Sequence, residues 1–118
     1  MTNVTVGMLV DQDDASRSTE AKQLRAHGLT VVEATSASDA YGLAQFGKLD
    51  FVVARLPEGE AVTLCRRLRT SGVSADIPIV LVSDLDSSAT ATVRAFGATA
   101  VLPTYPSPTE LLAAAGMP

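Results

Sequence analysis

Short apolar runs alternate with amphipathic stretches along the whole chain. The first run, residues 4–10 (V-T-V-G-M-L-V), breaks abruptly into the acids Asp11, Asp13 and Asp14. An apolar run of this length reads as a buried strand. Asp13 or Asp14 then caps a helix over residues 15–27, with Gly28 as its C-terminal stop. That helix is thin in apolar residues, holding only Ala15, Ala21, Leu24 and Ala26. Residues 29–34 alternate as a half-buried strand does, and Ser36 or Ser38 starts a helix that runs to about Phe46 and stops at Gly47. A second solid run, 51–54 (F-V-V-A), is followed by the loop 55–59. Ala61, Leu64, Cys65 and Leu68 then fall at i, i+3, i+4 and i+7, a helical stripe. Pro78 opens a third apolar run, 79–82 (I-V-L-V). Ser87 caps a helix with the stripe Ala89, Val93 and Phe96, stopped by Gly97. A short strand over 99–102 follows. The last helix opens on Ser107-Pro108-Thr109-Glu110, with Ser at the cap, Pro at the first position and Glu at the third. Its apolar side is Leu111, Leu112 and Ala115.

Strand and helix alternating in this way predict an α/β domain with a five-stranded parallel sheet covered on both faces. Right-handed crossovers leave few ways to order the strands. The first, third and fourth runs are the most uniformly apolar and belong in the middle. That gives the doubly wound, flavodoxin-like (βα)5 order 2-1-3-4-5, with a switch point between strands one and three. The loops gathered at the carboxyl edge are then 11–14, 55–58, 83–84 and 103–106, and candidate chemistry is sought there.

Composition narrows what that edge can do. The 118 residues suit one domain, 1–118, which can form the N-terminal part of a longer regulator. A net charge of −4 argues against direct nucleic-acid binding by this domain. The one tight basic cluster, Arg66, Arg67 and Arg69, reads as the solvated face of the third helix. Cys65 stands alone on an apolar stripe, so neither a disulfide framework nor a thiol metal site follows, and a cytoplasmic location is expected. No run approaches a membrane span, and there is no basic-then-apolar leader at the N-terminus. No G-x-G-x-x-G loop is present, which argues against a dinucleotide.

Four segments resemble the receiver domain of two-component response regulators: V-D-Q-D-D-A-S-R (10–17), A-D-I-P-I-V-L-V-S (75–83), G-A-T-A-V-L-P-T (97–104) and S-P-T-E-L-L (107–112). The resemblance spans nearly the whole chain. It implies an Asp phosphoacceptor closing the third strand, an acidic pair after the first strand that binds Mg²⁺, a Ser or Thr closing the fourth, and a Lys-Pro after the fifth. Asp11 matches the first acid, and Gln12 stands where the second is expected. Ser83 matches the hydroxyl. Thr104 occupies the lysine position and Tyr105 the proline. Counting forward from Asp50, the phosphoacceptor position falls on Arg55, with Ala54 just before it, and the following loop is shortened.

These departures from the family pattern are expected to weaken phosphoryl chemistry at this edge. A carboxylate nucleophile is required, whereas arginine stays protonated and offers no lone pair. Mg²⁺ wants an octahedral shell of oxygens, so Asp11 beside neutral Gln12 is a weak candidate and no metal or other cofactor is expected. The remnant pocket is Asp11, Gln12, Asp13, Arg55, Ser83 and Thr104. Arg55 is expected to replace the metal by pairing with Asp11, with Asp13 as a further candidate partner; the alternative is that Arg55 points to solvent and the acids only cap the first helix. Asp13 and Asp14 read as helix caps, Ser83 as satisfying nearby backbone, and Asp84 and Asp86 as starting the fourth helix electrostatically. His27 reads as a solvated residue at a helix end. No catalytic residues can be assembled, so the domain is not expected to be an enzyme. The resemblance implies an interaction face on the fourth helix, fifth strand and fifth helix, here with Asp86, Arg94 and Tyr105. It would serve a protein partner, an attached output domain or a homodimer. Thr104-Tyr105 is expected to be trans, whereas Tyr105-Pro106 can be cis at small cost. The reading is a phosphorylation-independent receiver acting as a signalling interaction module. The alternatives are a receiver phosphorylated at a non-standard residue and a small-molecule-sensing flavodoxin-like domain.

Overall fold

The computed structural model describes residues 4–72, 75–103 and 106–117. The expected alternation is present: β1 (Val6–Asp11), α1 (Asp14–Ala26), β2 (Thr30–Ala34), α2 (Ala37–Ala44), β3 (Phe51–Arg55), α3 (Glu58–Thr70), β4 (Ile79–Val82), α4 (Ser87–Ala95), β5 (Ala100–Leu102) and α5 (Pro108–Ala114). All strand pairs are parallel, in the order β2-β1-β3-β4-β5. This is the doubly wound, flavodoxin-like arrangement.

Side-chain parity divides the core. Successive residues of a strand point to opposite faces. Met8, Val10, Val52, Ala54, Ile79 and Leu81 pack under α2, α3 and α4. Leu9, Phe51, Val53, Val80 and Val82 pack under α1 and α5. Gly7 shares the second face, and a Cβ there would collide with the Phe51 ring on the neighbouring strand. A glycine lets the largest core ring lie flat across β1.

Helix ends follow local sequence closely. Ser107 and Glu110 form the reciprocal capping box, with Pro108 at the first position. Asp13 caps α1 through the Ser16 N–H, and Gly28 follows its end with φ +87. Ser36, not Ser38, caps α2 by accepting from the Asp39 N–H. That helix ends at Ala44, before Gly47 is reached. The cap of α4 is Asp86 rather than Ser87; its carboxylate accepts from the Ala89 N–H at 2.8 Å. A carboxylate there also complements the helix dipole. Phe96 does not continue the α4 stripe: it is the C-terminal cap residue, 41% exposed, and Val93 alone is buried on that helix.

The α3 stripe Ala61, Leu64, Cys65 and Leu68 is buried throughout. Burial pushes the Cys65 thiol from 9.0 up to about 11, against a smaller opposing effect of Arg69. A raised thiol pKa means the folded protein holds this proton after the unfolded chain has released it. Its contribution to stability is therefore complete below pH 9 and is lost as pH rises from there through about 11. In the native state a disulfide-exchange reagent should react with Cys65 only as fast as the protein opens, while denaturant-unfolded protein reacts at once. Immediate full reaction of native protein at about pH 8 would contradict this packing.

Candidate functional site

The site forms where β1 and β3 end. Asp11 continues the parity of Leu9, and Arg55 that of Phe51 and Val53, so both side chains rise on the α1 face. The two residues are register partners on adjacent strands. Only Leu56 and Pro57 separate β3 from α3. This short connection holds Arg55 close to the sheet rather than out on a loop.

Arg55 makes its close contact with a residue absent from the sequence-based set. Its Nε donates to Glu20 Oε2 at 3.1 Å, and its Nη2 to Glu20 Oε1 at 3.1 Å. The side chains are 15% and 8% exposed. This is the two-pronged geometry that suits guanidinium and carboxylate. Asp11 Oδ2 lies farther away, 3.9 Å from the same Nε. The expected pairing with Asp11 is therefore only a long contact, secondary to Glu20. No pair with Asp13 forms among the described residues, because Asp13 is turned to the helix cap. Glu20 stands four residues before Leu24, on the inward line of α1. A charged residue at an inward helical position was the available sequence signal.

Asp11 is held from several sides. Its Oδ1 accepts from the Asp13 N–H at 2.9 Å, and its backbone carbonyl accepts from Arg17 Nη1 at 2.8 Å. Its Oδ2 is buried and receives no hydrogen bond among the described residues. Arg17 also pairs with Asp14 and with Glu33 of β2, and Arg25 reaches Glu33 as well. These ties fix α1 over β1 and β2 at the acidic edge. Gln12 is exposed, Ala54 is buried on the opposite face, and Ser83 is half-buried just beyond β4, where its N–H donates to Leu102 O at 2.9 Å. Asp86 and Arg94 are exposed on α4. Thr104 and Tyr105, and with them the bond to Pro106, lie outside the described residues.

A groove of about 640 Å³ runs between α1 and the start of α5. Glu20 and Arg55 line it together with Asp13, Ser16, Pro106 and Glu110. Among the described residues no three His, Cys, Asp or Glu side chains are grouped as a metal site. No described helix is long and apolar enough to cross a membrane.

No family model matches the chain. A gliding motility regulatory protein of Myxococcus xanthus is 32% identical over 82 residues, which is 68% of this chain but only 11% of that protein's length. Among solved structures, a response regulator receiver protein from Pseudomonas putida superimposes with a TM-score of 0.85 at 23% identity, covering 98% of each chain. The receiver domain of a sensor histidine kinase from Pseudomonas aeruginosa, with a magnesium ion coordinated in its active-site cleft, gives 0.80 at 18% identity over 94% of this chain and 93% of that one. At these identities the likeness establishes the fold, which is that of response regulator receiver domains.

Proposed function

We propose that this chain is a receiver-type signalling domain that works without aspartyl phosphate, as a protein–protein interaction module. The observation that carries the reading is Arg55 at the end of β3, held by both prongs to buried Glu20. Where the resemblance puts the phosphoacceptor there is a permanent cation with no lone pair to attack phosphorus. Mg²⁺ does not fit the residues present. Asp11 Oδ1 is engaged by backbone and Oδ2 faces the Arg55 Nε, so a divalent ion would meet one carboxylate oxygen and a guanidinium instead of an oxygen shell. Among the described residues no nucleophile–base pair is gathered at this edge. A cytoplasmic domain acting on a protein partner or an attached output domain is the corresponding role. The face of α4, β5 and α5, with Asp86 and Arg94, is open to a second copy or a partner.

Incubation with acetyl phosphate and Mg²⁺, followed by intact-mass measurement, tests the reading. The expected result is an unchanged mass, and beryllofluoride with Mg²⁺ should leave the amide spectrum of the edge residues unmoved. A stoichiometric, hydroxylamine-labile phosphoryl adduct at any aspartate would end the phosphate-independent reading and favour phosphorylation at a non-standard residue. The groove beside Glu20 supports a second reading, small-molecule sensing. A ligand selective for the folded state would raise the melting temperature in a thermal-shift screen.

A further inference from the structure

The nine cationic side chains are used unevenly. The arginines around α1 are matched to carboxylates: Arg17 to Asp14 and Glu33, Arg25 to Glu33, and Arg55 to Glu20. On the opposite side of the sheet, Arg66 and Arg67 of α3 have no carboxylate within ion-pair distance among the described residues. Each lies instead on an aromatic ring of a neighbouring element. The Arg67 guanidinium is 4.2 Å from the ring centre of Tyr41 on α2, and that of Arg66 is 5.5 Å from the ring centre of Phe96 at the end of α4.

The two cations are thus splayed to either side of α3. Between them a shallow depression of about 230 Å³ is lined by Arg66, Arg67, Thr63 and Thr70. The Thr63 and Thr70 hydroxyls donate into their own helix, to Gly59 O and to Arg66 O. The donors left facing outward are the guanidinium N–H groups. Rings beneath the guanidinium planes hold them in place without neutralising them. Two cations without a carboxylate partner among the described residues form a local positive patch on a molecule of net charge −4.

We propose that the outer face of α3 docks an acidic segment of a protein partner, its carboxylates on Arg66 and Arg67. Charge complementarity selects this occupant. Nucleic acid is disfavoured because it is held by many phosphate contacts at once, and the net charge of −4 repels a polyanion beyond two arginines. A second copy offering its own Asp13-Asp14 edge would make a head-to-tail contact, which closes into a ring or runs on as a filament. The proposal rests on the reading of the chain as an interaction module and is indifferent to whether aspartyl phosphate forms.

The test is fluorescence anisotropy of the whole chain with a labelled helical Glu/Leu peptide, its Lys/Leu counterpart and a labelled single-stranded oligothymidine. The acidic peptide alone should bind saturably, more weakly as salt rises. Arg66→Glu and Arg67→Glu should each weaken binding roughly tenfold, while Lys22→Glu, the same charge change on exposed α1, should alter it less than about twofold. Melting curves establish that the variants fold, and Arg66→Gln with Arg67→Gln serves if a reversal does not. Absence of saturable acidic-peptide binding, equal weakening by Lys22→Glu, or equally tight oligothymidine binding would overturn the proposal. Concentration-dependent self-association abolished by Arg66→Glu would overturn it in favour of a second copy. The phosphoryl-transfer assay reads the other side of the sheet, so either result can fail while the other stands.

Discussion

Replacing Arg55 with alanine is expected to cost the fold about 3 kcal/mol or more, because it leaves a buried carboxylate without its partner. Glu20 is 6% exposed and both its oxygens are bound by the guanidinium. Glu20→Ala should cost less, since Asp11, 3.9 Å from the Arg55 Nε, remains as a partner for the cation. The informative variant is the double replacement Glu20→Leu with Arg55→Leu, which should recover much of the Arg55→Ala loss but fall short of the parent, because buried Asp11 loses the cation 3.9 Å from its Oδ2. Apolar residues of similar size escape the desolvation that a buried ion pair must overcome. Urea unfolding of the two alanine singles, the leucine pair and its component singles closes a double-mutant cycle and reads the coupling directly. If both alanine singles fall within about 1 kcal/mol of the parent, the pair behaves as an exposed one and is not a structural lock. Arg55→Asp, which puts a carboxylate where the receiver resemblance places the phosphoacceptor, is expected to be worse than alanine. It gathers Asp11, Glu20 and a new acid around one point with no cation to separate them.

The second large effect is expected at Arg69. This arginine sits in the basic cluster with Arg66 and Arg67, yet it does not join their solvated face. Its Nε and Nη2 donate to Gly97 O at 3.0 and 2.6 Å, and its Nη1 donates to Ala75 O and Ile77 O. One side chain thus gathers the turn after α4 and the segment leading into β4. The carbonyl beyond the end of α4 carries part of the negative end of that helix, which favours a cation there. The approach is close: a Cβ on Gly97, already at φ +117, would meet the Arg69 side chain. Arg69→Ala should lower stability by about 2–4 kcal/mol, since it strands several part-buried carbonyls at once. Arg69→Lys should recover only a fraction, because an ammonium cannot reproduce the planar fork. Thermal unfolding gives the magnitude, and amide exchange at Ile79 and Ala98 should quicken ahead of the rest of the sheet. Parent-like melting of Arg69→Ala would show that water satisfies those carbonyls and that the clamp is dispensable.

Most of the fold is readable locally. The runs 51–54 and 79–82 are uniformly apolar because β3 and β4 are covered on both faces, and the sequence reports that directly. The α5 cap is legible because its whole hydrogen-bond pattern lies between Ser107 and Glu110. Errors came where the local signal had equals. Ser87 and Asp86 both suit a helix cap, and the carboxylate won. Phe96 matched the α4 stripe by spacing but fell one residue past the helix, where an aromatic ring is free to lie under Arg66. The α1 stripe looked thin because one of its inward positions is Glu20. A rule that equates inward with apolar passes over a charged residue that is buried by pairing.

By itself the sequence determined the alternation of strands and helices, the order of the sheet, the acidic edge after β1 and the placing of Arg55 at that edge. Each of these depends on periodicity or on neighbours a few positions away. Tertiary structure alone decided what Arg55 and Arg69 touch. Arg55 finds Glu20 35 residues away, and Arg69 finds Gly97 28 residues away. Such partners are set by which faces the crossovers bring together, and no local pattern encodes them. The same crossovers divided one run of basic residues between an internal clamp and two cations shelved on aromatic rings.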